Sequence, residues 1–387
     1  MELPASLPWI NRLIGLDTTS RDSNLELIEV IAADLRSHGV EPHILPSEDG
    51  RKANLLATIP AADGTRAGGV MLSGHTDVVP VDGQDWSSEP FTGDVRDGRL
   101  YGRGSADMKA FCGIVMHYVP QLVAARLSQP VHLAFSYDEE IGCVGAPGLV
   151  KGIADQGLHP RVAFVGEPTS MRPIRAHKSM NIIELEFRGI AAHSSLTTHG
   201  VNTIEHAARI IAYMRGLADH WRANGPFDEG YPIPHSTASV NVVSGGTAAN
   251  IVPAHTRIQL EFRTVAGDDP DQVIAGIASE LAVIDAAMKA ENPATGTSLR
   301  VIAKAPGLDT PEDAQVLQLA RRLGADAPAQ KVTFGTEAGL FAEAGIETIV
   351  LGPGDIAQAH TPDEFIELEQ IRAGEEFIER LIAHLSA

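Results

Sequence analysis

Apolar residues recur along this chain in two rhythms, and the change from one to the other divides it. From Asn24 to His38, the positions Leu25, Ile28, Ile31 and Leu35 fall at helical spacing, with Gly39 as a stop. Short apolar runs then alternate with helical stretches. Asn54–Ile59, Gly69–Leu72, Val131–Tyr137 and Arg161–Val165 predict strands; Met108–Leu127 predicts a helix interrupted near Pro120, and Pro147–Gln156 a second helix. Strands separated by helices predict a mainly parallel sheet, because parallel neighbours need a crossover connection.

After Lys178 the rhythm changes. Asn181–Arg188 alternates apolar and polar residues, and a long helix is predicted around Val201–His220. Alternating strands follow at Ser239–Val243 and Arg257–Thr264, then a helix from Pro270 to about Ala290 and a strand at Ser298–Ala303. The order β-α-β-β-α-β suits a small sheet covered on one face. From Thr310 onward helices again alternate with short strands, at Lys331–Phe334 and Thr348–Leu351. The expectation is an α/β domain formed by residues 1–177 and 305–387, interrupted by an α+β domain over residues 178–304.

Composition narrows the function. The chain has 387 residues and a formal charge of −20, which argues against a nucleic-acid or anionic-membrane partner. No run approaches the ~18 apolar residues that cross a bilayer. The opening MELPASLPWINRLIG lacks a basic segment followed by a long apolar core, so no secretory signal is visible. Cys112 and Cys143 are too few for a disulfide framework and predict buried, reduced thiols in a cytoplasmic protein. Fifteen histidines are the first hint of a metal.

Polar clusters follow the predicted strands with regularity. VMLS leads into Gly74-His75-Thr76-Asp77, HLAFSY into Asp138-Glu139-Glu140, and VAFV into Gly166-Glu167-Pro168. TIVLG leads into Pro353-Gly354 and then Gln358-Ala359-His360, while Asp107 opens a helix after Tyr101–Ala106. Each motif alone reads as a surface loop. Their joint placement at strand ends is what points to a site, since open α/β sheets bind ligands beyond the carboxyl ends of their strands. His75, Asp107, Glu140, Glu167 and His360 form an N/O donor set suited to Zn²⁺, Co²⁺ or Mn²⁺. Two metals ~3.5–4 Å apart and sharing Asp107 fit that inventory. Asp77, two residues beyond His75, can hold the imidazole by its second nitrogen. Of the adjacent Glu139 and Glu140, one can bind metal while the other moves protons. The Gly-rich segment Tyr101–Asp107 does not read as a phosphate loop, because no strand is predicted ahead of it.

These residues resemble the M20 family of metallopeptidases over nearly the whole chain. The resemblance is carried by Ser73–Pro80 (SGHTDVVP), Tyr101–Lys109 (YGRGSADMK), Asp138-Glu139-Glu140, Gly166–Ser170 (GEPTS) and His360. It implies a zinc-peptidase-like catalytic domain with an inserted lid and dimerisation domain, and an amide hydrolase acting on a small N-acyl amino acid by attack of a metal-bridging hydroxide. Of two Zn²⁺ ions, His75 and Glu167 would hold one, His360 and Glu140 the other, with Asp107 between them. Glu139 would be the general base, and Asp107–Met108 a cis peptide. His193, in Gly189–Ser195, is similar to a residue that reaches the partner subunit's site in dimeric members and stabilises the oxyanion. Asn250, Arg263, Lys178, Gly335 and Thr336 resemble substrate contacts, and closure of the two domains is implied.

Smaller features favour one branch. His177-Lys178 and Thr336-Glu337-Ala338 resemble the members that remove acetyl from N²-acetyl-L-ornithine, whereas succinyl-diaminopimelate desuccinylases tend to carry other residues there. Gly335 departs from that branch, where Cys is expected. The alternatives are another amidase of the family, such as a succinyl-diaminopimelate desuccinylase or an N-acyl-amino-acid deacylase, and a catalytically inactive binding protein on the same fold.

Overall fold

A computed structural model describes residues 3–386 of the chain. They form two compact units. The first is built from the chain up to Ala176, Leu308–Lys331 and the chain from Thr336 onward; the second from His177–Gly307 and Val332–Gly335.

The first unit holds a nine-stranded sheet among the described residues. Its four central strands run in the order Val131–Ser136, Val70–His75, Val162–Val165 and Glu347–Val350, all parallel. Ala53–Ile59 joins one side antiparallel, followed by His43–Pro46, and Ile174–His177 joins the other side antiparallel. Every residue of Ala53–Ile59, Val70–His75, Val131–Ser136 and Val162–Val165 is buried. Strands covered on both faces need apolar residues on both, which is why these segments read as continuous apolar runs. Helices Leu25–Ser37 and Ala146–Asp155 pack on Ala53–Ile59, and Leu7–Ile14 and Leu368–Leu385 pack on Lys109–His117.

The helical stretch expected over Met108–Leu127, interrupted near Pro120, is present as two helices, Lys109–His117 and Val119–Ala124, that meet at Tyr118. Pro120 then sits in the first turn of the second helix, where its missing N–H leaves no bond unmade. The Gly-rich Tyr101–Asp107 does follow a strand, Arg99–Tyr101, but one of three residues in a separate antiparallel sheet with Asp94–Arg96 and Phe365–Glu367. A strand that short shows no periodicity.

The second unit is a four-stranded antiparallel sheet in the order Thr237–Gly245, His255–Arg263, Met180–Arg188, Gly296–Ala305. Ile183, Leu185, Phe187, Ile258, Leu260 and Phe262 alternate onto one face and pack with Ile210 and Met214 of helix Thr203–Asn224 and Ile277 and Ile284 of helix Pro270–Glu291. The first helix is capped by the Asn202 side chain, which accepts the N–H groups of Ile204 and Glu205; Asp269 caps the second. On the opposite face Glu184 is buried beneath Arg257, Arg300 and Gln259. No helix among the described residues is long and apolar enough to cross a membrane.

Candidate active site

The carboxyl ends of all four central parallel strands open into one polar cluster. His75 ends Val70–His75; Asp138–Glu140 follow Val131–Ser136; Glu167 follows Val162–Val165; and the segment reaching His360 follows Glu347–Val350. Asp107 enters from the loop ahead of helix Lys109–His117, and its peptide bond to Met108 is cis. Close approach matters here: a Cβ on Gly166 would lie 2.1–2.4 Å from atoms of the Phe111 ring.

The five metal ligands nominated by the sequence converge. His75 Nε2 lies 2.9 Å from Asp107 Oδ1 and 3.6 Å from Glu167 Oε1. His360 Nε2 lies 3.3 Å from Asp107 Oδ2 and 2.9 Å from Glu140 Oε2. The two oxygens of Asp107 therefore face different imidazoles. Three-donor sets that could hold a cation are His75, Glu139 and Glu167, and His75, Asp107 and Glu140. Glu139 is thus as close to the donors as its neighbour.

The electrostatics of the cluster suit a cation. Burial, reinforced by Glu140, Asp107 and Asp77, pushes the Glu139 carboxyl up to about 8 against the pull of His75. Burial, then Asp107, raises Glu140 to about 7 and lifts Glu167 well above the usual range. Asp107 is held far down by hydrogen bonds to both imidazoles despite its burial, and His360 is raised to about 10 by Asp107 and Glu140. Four buried carboxylates cannot all be charged without matching cations. Their donors are oxygen and imidazole nitrogen with no thiolate, a set that fits divalent metals.

Asp77 meets the second imidazole nitrogen with both its backbone carbonyl and its carboxylate. His75 Nδ1 bonds the backbone carbonyl of Asp77 at 2.9 Å, while the carboxylate stands 3.5 Å away. That carboxylate also accepts the Ser20 hydroxyl at 2.7 Å and the backbone N–H groups of Glu139 and Glu140 at 3.1 and 3.3 Å. Three further residues of the cluster had no role in the site assigned from the sequence. Cys143 donates to Glu139 Oε1 at 3.4 Å. Buried Glu337 accepts the hydroxyls of Ser73 and Ser136, each at 2.6 Å, tying two strand ends together. Buried Glu364 accepts the N–H groups of Ala106 and Asp107. One clue to the last was available: Arg103, inside the Asp107 motif, needs an acid if buried.

The other candidates, except Thr336, lie in the second unit. His193 Nδ1 accepts from the Ser195 N–H, which places the neutral ring's proton on Nε2 as an exposed donor. Asn250 is its near neighbour, its carbonyl accepting the Ser194 N–H at 2.9 Å. Arg263 bonds Glu261 at 2.5 Å and the Thr333 carbonyl at 3.5 Å. Lys178 is buried, bonds the His235 carbonyl, and is lowered to about 8 by burial and by Arg263. Gly335 packs on it: a Cβ there would stand 3.2 Å from the Lys178 carbonyl oxygen. Thr336, in the first unit, is buried, and its hydroxyl accepts the Ala338 N–H.

The chain belongs to peptidase family M20/M25/M40, whose family model matches residues 71–384. It is 33% identical over 385 residues to an acetylornithine deacetylase of Myxococcus xanthus, covering 99% of this chain and 98% of that one. An acetylornithine deacetylase of Proteus mirabilis is 34% identical over 99% of this chain and 97% of its own. Among solved structures, the M20 family metallo-carboxypeptidase Sso-CP2 of Sulfolobus solfataricus superposes with a TM-score of 0.77 at 19% identity, covering 97% and 98% of the two chains. A dinuclear metal-binding M20 peptidase of Bacillus subtilis gives 0.62 at 16% identity, covering 98% of each. At these identities the structures speak for the fold.

Proposed function

We propose that this protein removes acetyl from N²-acetyl-L-ornithine, giving L-ornithine and acetate, as a cytoplasmic step of arginine biosynthesis. The full-length identity to relatives named for that reaction supports the substrate. The observation that carries the chemistry is Asp107, with one carboxylate oxygen toward His75 and the other toward His360. His75 and Glu167 would hold one divalent metal and His360 and Glu140 a second, with Asp107 shared; zinc suits the donors, and Co²⁺ or Mn²⁺ could replace it. When bound, such ions polarise an acyl carbonyl and acidify water at neutral pH.

Glu139 then does the proton work. It takes a proton from the attacking water as the C–O bond forms, and delivers it to the ornithine nitrogen as the C–N bond breaks. Asp77 fixes the backbone from which Glu139 projects. Arg263 and Asn250 would grip the substrate carboxylate, with Lys178, Gly335 and Thr336 as further contacts. His193 of the partner subunit in a homodimer would donate its Nε2–H to the developing oxyanion.

The test is a substrate panel on zinc-loaded protein: acetylornithine, succinyl-diaminopimelate, acetylmethionine and a dipeptide. Acetylornithine should give the highest kcat/KM. Faster turnover of another acyl compound would reassign the substrate within the family, and inactivity on all would favour a binding protein.

A further inference from the structure

Asp107 and His360 come from segments far apart in sequence, and one network of side chains joins those segments. Arg103 and Glu364, each 1% exposed, form an ion pair at 2.6 Å. The other oxygen of Glu364 accepts the N–H groups of Ala106 and Asp107 at 2.8 and 3.1 Å. Arg103 Nη2 donates to Gln84 Oε1 at 2.6 Å, and the Trp86 indole N–H donates to the same oxygen at 3.0 Å. Gln84 Nε2 in turn donates to the backbone carbonyl of His360 at 3.0 Å.

His360 needs such a restraint. Its φ is +64°, an uncommon value for a residue with a side chain. Its side chain is 52% exposed, against 1% for His75. Packing holds the His75 ring on all sides but leaves half of His360 in solvent, so the direction of the His360 ring depends on its backbone.

We propose that Gln84 is a positioning residue that sets how tightly the metal between His360, Glu140 and Asp107 is held, leaving the His75–Glu167 side nearly untouched. This rests on the two-metal reading above. The side-chain bonds of Gln84 run to His360, Arg103 and Trp86, none of which belongs to the His75–Glu167 side. The amide links the least buried ligand to a rigid, fully buried ion pair. Outer partners that orient a metal ligand are commonly worth on the order of 10–100-fold in affinity.

The experiment titrates metal-free, full-length protein with Co²⁺, followed by calorimetry and by the visible absorption of the bound ion. Wild type is compared with Gln84→Ala and Gln84→Glu; the latter keeps the acceptor for Arg103 and Trp86 but loses the donor to His360. His360→Ala identifies which binding step belongs to that side. Two steps are expected in wild type. In both Gln84 variants the step abolished by His360→Ala should weaken by on the order of 10–100-fold with the other step unchanged, and Gln84→Glu, which keeps the bonds to Arg103 and Trp86, should leave the melting temperature of the metal-free protein unchanged. Equal weakening of both steps, or no change in either, overturns the assignment. A single step in wild type overturns the two-metal reading, and the role of Gln84 with it.

Discussion

Asp77 Oδ1 accepts the backbone N–H of Glu139 at 3.1 Å, so the acid two residues beyond His75 carries the turn that presents Glu139 and Glu140. Its carboxylate spans that turn with both oxygens, Oδ2 taking the Glu140 N–H as well as the Ser20 hydroxyl. The Asp77→Ala variant should therefore lose more turnover than metal. His75 keeps its bond to the residue-77 carbonyl, while Glu139 loses its anchor. Metal content by mass spectrometry should stay near wild type as kcat falls, and metal loss in step with activity would refute this division.

Glu139 should act on protons without being required for metal binding. In Glu139→Gln, the stoichiometry of bound metal is expected to be unchanged, and kcat to drop by about 10²–10⁴-fold, the usual worth of a positioned acid–base group. Retained activity in a metal-loaded variant would transfer the role to another residue.

His132 predicts an acid limb in stability that has nothing to do with the site. The ring is buried between Thr58 and Gly68, donating from Nε2 to the Gly68 carbonyl, and burial pushes it from its ordinary 6.5 down to about 4. Between those values the unfolded chain holds a proton that the folded one does not, so stability is complete above pH 6.5 and falls as pH drops toward 4. The loss is at most about 3 kcal/mol. His177, also buried and lowered to about 4, acts in the same direction. Denaturant titrations at several pH values should show a shallower acid limb in His132→Gln than in wild type.

Gly166 is a steric requirement. Any Cβ there enters the Phe111 ring, and neither the strand end nor the helix bearing Phe111 can retreat without opening the core. Gly166→Ala should destabilise the protein by about 1–3 kcal/mol in denaturant unfolding. A variant as stable as wild type would mean that the ring has room to turn.

Gly335 tests the substrate side. A Cβ 3.2 Å from the Lys178 carbonyl oxygen must displace one of the two segments. Gly335→Cys is expected to change KM for acetylornithine more than kcat, and to alter the preference between acetyl and longer acyl groups. Identical KM and preference would remove Gly335 from the substrate contacts.

Much of this was legible in the sequence. Strands buried on both faces must be apolar throughout, so the segments ending at His75, Ser136, Val165 and Val350 announced themselves, and with them the polar residues just beyond. The alternation in Met180–Arg188 and His255–Arg263 likewise reported a sheet with one apolar face. What it could not carry were pieces with no period, such as the three-residue strands Asp94–Arg96, Arg99–Tyr101 and Phe365–Glu367. Residue type and spacing nominated the donors His75, Asp107, Glu140, Glu167 and His360, because that chemistry depends on which atoms are present. Only the folded chain decided what holds them: the Asp77 carboxylate on the Glu139 turn, Glu364 on the Asp107 backbone, and Gln84 on the His360 carbonyl. Those bonds join backbone groups, which every residue has, across long stretches of sequence. Nothing but the path of the chain brings them within reach.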